Sequence, residues 1–197
     1  MIFFSVWMQF FVLLTPFFVL SMYLSMTQGW STKKRMHLAV RIGAATALIC
    51  LVLFYFGNWI FQAFGITLEA FRIGGGALLF LSAVTLVRGA SQESKIQGMD
   101  ENDIAVVPLA IPITVGPGTT GALLVMGAQA DTLTIKFLKT GSLLGAVLSL
   151  TVILLLGSKV EQLIKRRGIT ILSKLTGLFL SAMAAEMVFT GIKSFLK

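Results

Sequence analysis

The stretch that decides the fold runs from residue 103 to residue 122 and reads D-I-A-V-V-P-L-A-I-P-I-T-V-G-P-G-T-T-G-A. It is apolar enough to enter a bilayer, but Pro108, Pro112, Gly116, Pro117 and Gly118 prevent one continuous helix from running through it. Proline removes a backbone donor and clashes with the carbonyl four residues earlier, and glycine has little helical preference. Freed backbone groups lie at membrane depth only where they face protein or a polar cavity. We therefore predict a broken membrane helix whose polar ends line a site.

The composition indicates an integral membrane protein. Of 197 residues, 56% are hydrophobic and only 12% are charged. Residues 1–32 carry no charged side chain, and this run alone exceeds the roughly 20 apolar residues that span a bilayer. The net charge of +8 does not indicate nucleic-acid binding, because the basic residues flank the apolar segments instead of forming a folded basic face. The expected partner is the lipid bilayer, with no nucleic acid.

Six segments are long and apolar enough to span the membrane. They are residues 2–24, 38–64, 69–87, 104–129, 137–158 and 171–195. The connection between the third and fourth segments is the longest and most polar, which divides one membrane domain into residues 1–90, a cytoplasmic linker at 91–103, and residues 104–197. Eleven lysines and arginines lie on the side of the first, third and fifth loops, against five on the other. This bias predicts that both termini face outward.

The two halves resemble each other in sequence. Four pairs of positions recur at an offset of 101 to 103: residues 65–67 with 168–170, 72–75 with 174–177, Gly43 with Gly145, and Pro16 with Pro117. Because each half has three crossings, an odd number, the second half must enter from the opposite side. Inverted repeats with an interrupted segment at the corresponding position are typical of secondary transporters, whose site lies near the midplane. Free amides at a half-helix start bind a carboxylate there, and free carbonyls bind a cation or ammonium group.

Two motifs carry a resemblance to a known family. Residues 108–118 read P-L-A-I-P-x-x-x-G-P-G and residues 64–76 read F-G-I-T-L-x-A-F-R-I-G-G-G. With the six-segment layout, they resemble the MarC family of bacterial and archaeal inner-membrane proteins over essentially the whole chain. The resemblance implies an all-α membrane protein of two inverted three-helix repeats, with the first and fourth helices broken. It also implies transport of small neutral amino acids such as glycine and alanine, coupled to an ion gradient.

One stretch departs from the family pattern. The family's first segment usually carries Asn-Pro followed by a small residue or glycine, whereas this chain has Thr15, Pro16, Phe17 and Phe18 there. Thr15 still offers a hydroxyl, but the asparagine amide is missing and two bulky phenylalanines follow the break. We expect this half of the site to be narrower, or altered in its substrate.

The substrate-binding candidates flank the two interruptions, and the alternative is a kink that only shapes packing. They are Thr15, Pro16, Phe17, Gly116, Pro117, Gly118, Thr119 and Thr120. The glycine run Gly74, Gly75 and Gly76 predicts close helix packing near the site.

Two charged residues are further candidates. Glu186 is the only acidic residue well inside a predicted span, and its proposed role is proton coupling. The alternative is a position near the outer interface, partly neutralised by Lys193. Arg72 follows Glu69 by three residues on the same helical face, which favours an ion pair or snorkelling, with recognition of a substrate carboxylate as the alternative.

No catalytic group emerges from the sequence. With one cysteine, one histidine and no clustered carboxylates inside the spans, we expect no metal, no cofactor and no enzyme activity. The rival to a transporter is a membrane scaffold or efflux-associated protein of the same fold, and a membrane enzyme is a weaker third reading. Assembly into a homo-oligomer stays open.

Overall fold

A computed structural model describes residues 2–88, 109–110, 113–130 and 132–196. Within these ranges the chain is almost wholly helical and contains no strand. The α-helices are α1 Ile2–Leu13, α2 Pro16–Met26, α3 Thr32–Phe64, α4 Leu68–Arg88, α5 Pro117–Ala128, α6 Leu133–Leu155 and α7 Gly157–Phe195.

Five helical stretches are long and apolar enough to cross a membrane. They are Ile2–Met26, Thr32–Phe56, Leu68–Arg88, Leu133–Leu155 and Arg167–Phe195. The fourth predicted segment contributes only the shorter apolar helix α5, because its beginning at residues 104–108 lies outside the described residues. The linker at 91–103, Pro108 and Pro112 also lie outside them.

The break predicted in the first segment is present between α1 and α2. The Leu14 amide still donates to the Phe10 carbonyl at 3.0 Å, but Thr15 then adopts a left-handed conformation with φ 47° and ψ 53°. A β-branched residue in this conformation carries strain on the order of 1–3 kcal/mol, which the surrounding packing must hold. Pro16 begins α2, where its missing N–H is not needed. The lost donor follows from the chemistry of Pro16, whereas the strained conformation of Thr15 depends on the packing around it.

The fourth segment is also interrupted. The Val115 amide donates to the Ala110 carbonyl five residues earlier at 2.8 Å, which widens the turn beyond that of an α-helix. Gly116 is extended, and the new helix α5 begins at Pro117. The Thr120 amide then donates to the Gly116 carbonyl at 2.8 Å. Each half of the chain therefore contains one interrupted segment, after which a new helix begins: α2 in the first half and α5 in the second.

Helices α4 and α7 pack closely and antiparallel through glycines. A Cβ atom built on Gly76 would lie 3.0 Å from the Ala184 carbonyl oxygen. A Cβ atom built on Gly177 would lie 3.0 Å from the Ala83 carbonyl oxygen. Small residues let membrane helices approach this closely, so dispersion contacts extend along both backbones. Helix α5 packs against α3 and α4, while α1 packs against α6 and α2 against α7.

Apolar side chains fill the interior and also cover the outside. Phe10 of α1 and Phe54 of α3 are buried and meet edge to face with their ring centroids 6.3 Å apart. Other large apolar side chains are exposed on the outer surface, among them Leu48, Phe80, Leu148, Phe179 and Phe189. An apolar surface of this kind suits a hydrocarbon solvent, because lipid tails are as apolar as leucine.

Helix α7 begins earlier than the sequence predicted. The predicted segment at 171–195 forms its second part, and the first part starts at Gly157. Lys165 interrupts the helix with φ 59° and ψ 164°. The first part was not predicted because the charged residues at 159–167 lower its hydropathy. Only the membrane-spanning part of a helix needs to be apolar.

Candidate functional site

The two broken segments meet inside the protein. The Thr119 hydroxyl, in the first turn of α5, donates to the Leu13 carbonyl at the end of α1 at 3.4 Å. Thr15 and Thr119 are only 6% and 7% exposed. The fold therefore brings together the two stretches that the sequence singled out, although they are about a hundred residues apart along the chain.

Packing surrounds most of the residues at this meeting point. A Cβ atom on Gly118 would lie 2.5 Å from the Leu79 Cα, so a glycine lets α5 contact the α4 backbone. Phe17 is half-buried and meets Phe11 edge to face, with ring centroids 6.3 Å apart. Pro16 is buried, whereas Gly116 and Thr120 are half-buried. Pro117 contributes the start of α5. None of the eight predicted substrate-binding residues is among the described residues that line the adjacent cavity.

The glycine run in α4 has two different surroundings. Gly75 packs on α5, where its built Cβ would lie 3.3 Å from the Gly121 Cα, and Gly76 packs on α7. Gly74 faces open space, with nothing within 4 Å of a built Cβ. Helix α4 is thus packed between α5 and α7 at Gly75 and Gly76, and this packing fixes the position of the α4 residues one turn earlier.

A cavity of about 290 Å³ lies next to this meeting point. Apolar side chains of α4, α5 and α7 form its base: Leu79, Ala122, Val125, Met126, Met183 and Met187. Polar side chains from five helices line the remainder: Gln9, Arg72, Gln129, Lys139, Glu186 and Thr190. A small number of convergent polar groups over an apolar base is the usual construction of a small-molecule site. Among the described residues, no group of three or more His, Cys, Asp or Glu could hold a metal ion.

Arg72 binds an amide on another helix. With the Gln129 amide assigned from the hydrogen-bond network, its oxygen accepts from Arg72 Nε at 3.2 Å and from Nη2. Gln129 is the residue at which α5 ends, and Arg72 lies in the second turn of α4. The sequence favoured an ion pair with Glu69, but the guanidinium turns into the cavity and binds Gln129.

The remaining charges of the cavity are a lysine and a glutamate. Lys139 Nζ donates to the Met126 carbonyl at 2.9 Å, which ties α6 to α5. Glu186 of α7 lines the cavity and is exposed. The lining therefore brings Arg72 and Glu186, the two charged candidates from the sequence, into one cavity with Lys139.

Four polar lining residues were not among the sequence candidates: Gln9, Gln129, Lys139 and Thr190. A signal for one of them was available, since Gln9 is an amide inside a predicted apolar span. Polar side chains in such segments face the bundle interior or a water-filled cavity. Lys139, Thr190 and Gln129, which is the last residue of the predicted fourth segment, lie near segment ends, where polar residues are ordinary and carry no such signal.

The opposite end of the bundle is closed by Arg35. Its Nε donates to the Thr27 carbonyl and its Nη1 to the Ser158 hydroxyl, each at 3.1 Å. The Tyr23 hydroxyl donates to the Arg35 carbonyl at 2.7 Å. Arg35 is near the start of α3, whereas Phe61, near its other end, packs on Phe71 beside the cavity with ring centroids 4.8 Å apart. The cavity and the Arg35 cluster therefore lie at opposite ends of α3.

Five apolar helical stretches of membrane-spanning length within the described residues, with an apolar outer surface, define an integral multi-pass membrane protein. The family model described as "MarC family integral membrane protein" matches residues 1–196. The chain belongs to this family.

Curated relatives agree with this assignment. The UPF0056 membrane protein MJ1677 of Methanocaldococcus jannaschii is 35% identical over 189 residues, covering 93% of this chain and 92% of the relative. The UPF0056 membrane protein PYRAB13050 of Pyrococcus abyssi is 30% identical over 186 residues, covering 93% and 90%. The UPF0056 membrane protein YhcE of Escherichia coli is 26% identical over 198 residues, covering 98% and 92%. No solved structure matches the chain.

Proposed function

We propose that this protein is a secondary transporter of small neutral amino acids such as glycine and alanine. It works by alternating access between two inverted three-helix repeats and draws on a proton or other ion gradient. It acts by binding and movement, without catalysis. The observation that carries the proposal is the polar cavity beside the point where the two broken segments meet.

The size and polarity of the cavity fit a small zwitterion. Ligand pockets typically measure about 300–1,000 Å³, so a cavity of about 290 Å³ suits a small molecule. Arg72 offers a guanidinium to a carboxylate, and Glu186 offers a carboxylate to an ammonium group or a proton. The Met126, Met183 and Met187 side chains leave apolar room for a short side chain.

The packing of α4 on α7 supports the inverted repeats. Gly76 lies against the Ala184 carbonyl and Gly177 against the Ala83 carbonyl. Residues 76 and 177 are 101 apart, and so are residues 83 and 184, one residue less than the offset of 102 that relates residues 72–75 to 174–177 in the sequence. Exchanging the halves at an offset of 101 exchanges the two contacts. In the proposed layout, α5 and the stretch before it form a fourth crossing and complete six spans.

The charge distribution supports an orientation in the inner membrane. The basic residues at the Arg35 end face the cytoplasm, because short cytoplasmic loops are enriched in lysine and arginine. Both termini then lie on the periplasmic side, and the cavity opens toward the periplasm. The Arg35 cluster closes the cytoplasmic end in this state.

A second candidate is a non-transporting scaffold or efflux-associated protein of the same fold. The dense packing at the breaks favours it, because Thr15 is buried and Gly118 contacts the Leu79 backbone. A scaffold keeps this packing in every state, whereas a transporter must loosen it to open the cytoplasmic end. Transport measurements separate the two.

The test is uptake of radiolabelled glycine, alanine and serine into proteoliposomes, with and without an inward proton gradient. We expect gradient-driven uptake by the wild type. Glu186→Gln is expected to lose the response to the gradient, because it removes the titratable group from the cavity. Glu161→Gln is the matched control, since Glu161 is outside the cavity lining. No uptake by folded protein would favour the scaffold, and an unchanged gradient response in Glu186→Gln would remove Glu186 from the coupling role.

A further inference from the structure

The contact between Arg72 and Gln129 has an unusual composition. Two guanidinium nitrogens, Nε and Nη2, converge on one neutral amide oxygen. A guanidinium presents parallel N–H donors in a rigid fork that matches a carboxylate, and charge-assisted bonds are about twice as strong as neutral ones. The Gln129 amide is planar like a carboxylate but carries no charge. The Gln129 amide therefore binds Arg72 where a carboxylate would bind, but it binds more weakly than a carboxylate does.

The two residues differ in how firmly they are held. A Cβ atom on Gly191 would lie 3.0 Å from both the Arg72 Cβ and the Glu69 carbonyl oxygen, so the α7 backbone packs against the base of the arginine. The Gln129 backbone is fixed by its own amide, which donates to the Val125 carbonyl at 3.1 Å. Its half-buried side chain lies in the cavity and has three rotatable bonds. The amide can therefore swing away without moving α5.

The charges of the lining favour an incoming anion. Arg72 and Lys139 are basic and Glu186 is the acidic residue of the lining. With all three charged, the described residues of the lining carry one excess positive charge. Lys139 already donates to the Met126 carbonyl at 2.9 Å. Arg72 is thus the cation of the cavity whose side-chain partner is replaceable.

We propose that Gln129 holds the Arg72 guanidinium in place until the ligand binds, and that the ligand's carboxylate then replaces the Gln129 amide. This inference rests on the proposed function and specifies its substrate class as small molecules with a free carboxylate. Gln129 sets the strength of carboxylate binding, because the amide must be displaced first. A glutamate at position 129 would bind Arg72 in place of the ligand's carboxylate.

The experiment measures equilibrium binding of radiolabelled glycine and acetate to the purified full-length protein, with glycinamide as a competitor that lacks the carboxylate. Gln129→Glu is expected to weaken glycine binding by about tenfold or more, as when a fixed charge pair must be broken. Gln129→Ala is expected to strengthen it severalfold, because Arg72 is freed. Gln162→Glu is the matched control, since it makes the same substitution at an exposed residue outside the cavity lining. Its effect is expected to be less than about threefold, below 1 kcal/mol.

Opposite effects of Gln129→Glu and Gln129→Ala, with glycinamide failing to compete, would establish the exchange. Equal competition by glycine and glycinamide would overturn it and leave amino-acid transport standing, as would a Gln129→Glu variant that binds glycine like the wild type. Acetate binding that depends on Gln129, without binding of any amino acid, would keep the carboxylate site and refute the proposed function. Folded wild-type protein that binds neither probe would refute both.

Discussion

Gly118 and Gly74 place the same residue type in two opposite surroundings. A Cβ atom on Gly118 would lie 2.5 Å from the Leu79 Cα and 2.7 Å from the Leu79 amide nitrogen. These are backbone atoms of α4, which cannot rotate away as a side chain can. Gly74 has nothing within 4 Å of a built Cβ, so the same change meets no obstacle there.

Gly118→Ala is expected to destabilise the protein by about 1–3 kcal/mol, the range for overpacking a tight contact. Gly74→Ala is expected to be neutral or to stabilise by about 0.5–1 kcal/mol, because alanine favours a helix interior over glycine. Thermal unfolding of the purified variants in one detergent measures both. If Gly118→Ala unfolds at the wild-type temperature, α5 does not pack on α4 as closely as described.

Arg72 shows what the sequence predicts of a single residue and what it does not. Spacing along one helix identifies its neighbour Glu69, because residues three apart share a face. Gln129 is 57 residues away in sequence and reaches Arg72 only through the packing of α5 on α4. Gln129 is the last residue of a predicted segment, where a polar side chain is ordinary, so neither its place in the cavity nor its partner was indicated by the sequence.

The broken helices are the elements that the sequence predicts best. Proline removes a donor and glycine releases the backbone wherever they occur, so the interruptions at Pro16 and at residues 116–118 follow from local chemistry. The part of α7 before the kink at Lys165 could not be predicted in the same way. It carries several charges and lies next to α2, where Gly157 approaches Leu20. The part after the kink contains the membrane span Arg167–Phe195, which agrees with the predicted segment at 171–195.

Arg35 of α3 connects the end of α2 to the start of α7. Arg35→Lys keeps the charge but cannot donate at once to the Thr27 carbonyl of α2 and the Ser158 hydroxyl of α7. We expect a loss of about 1.5–3 kcal/mol in stability, the range for hydrogen bonds to a charged group. Thermal unfolding measures it, and Arg88→Lys serves as the control because Arg88 is exposed at the end of α4. Equal unfolding temperatures for the two variants would contradict the connecting role of Arg35.

For the whole molecule, the relation between the halves that we propose draws on both sequence and packing. The sequence relates residues 72–75 to 174–177 at an offset of 102, and the contacts of Gly76 and Gly177 lie one residue from it. The sequence does not predict that these glycines lie on each other's helix carbonyls, because that depends on the crossing of α4 and α7. The number of crossings follows from segment lengths alone only when every segment is continuous, and the fourth is not.

The orientation of the whole protein is testable on α7 alone. In a Cys50→Ala background, Lys193→Cys and Lys159→Cys place exposed thiols near the two ends of this helix. We expect a membrane-impermeant maleimide to label Lys193→Cys in cells with a permeable outer membrane. Lys159→Cys should react only after the inner membrane is opened, because basic loops stay in the cytoplasm. The reverse pattern would place both termini in the cytoplasm, and labelling of both from outside would mean that α7 does not span.

If a small amino acid crosses the membrane through this fold, a counterflow experiment will detect the crossing. Proteoliposomes loaded with unlabelled glycine are diluted into a trace of radiolabelled glycine, without any ion gradient. Alternating access predicts a transient accumulation of label above equilibrium in wild-type vesicles and none in protein-free vesicles. The result that would contradict the account is wild-type protein, shown to be folded, that gives the same trace as empty vesicles for glycine, alanine and serine.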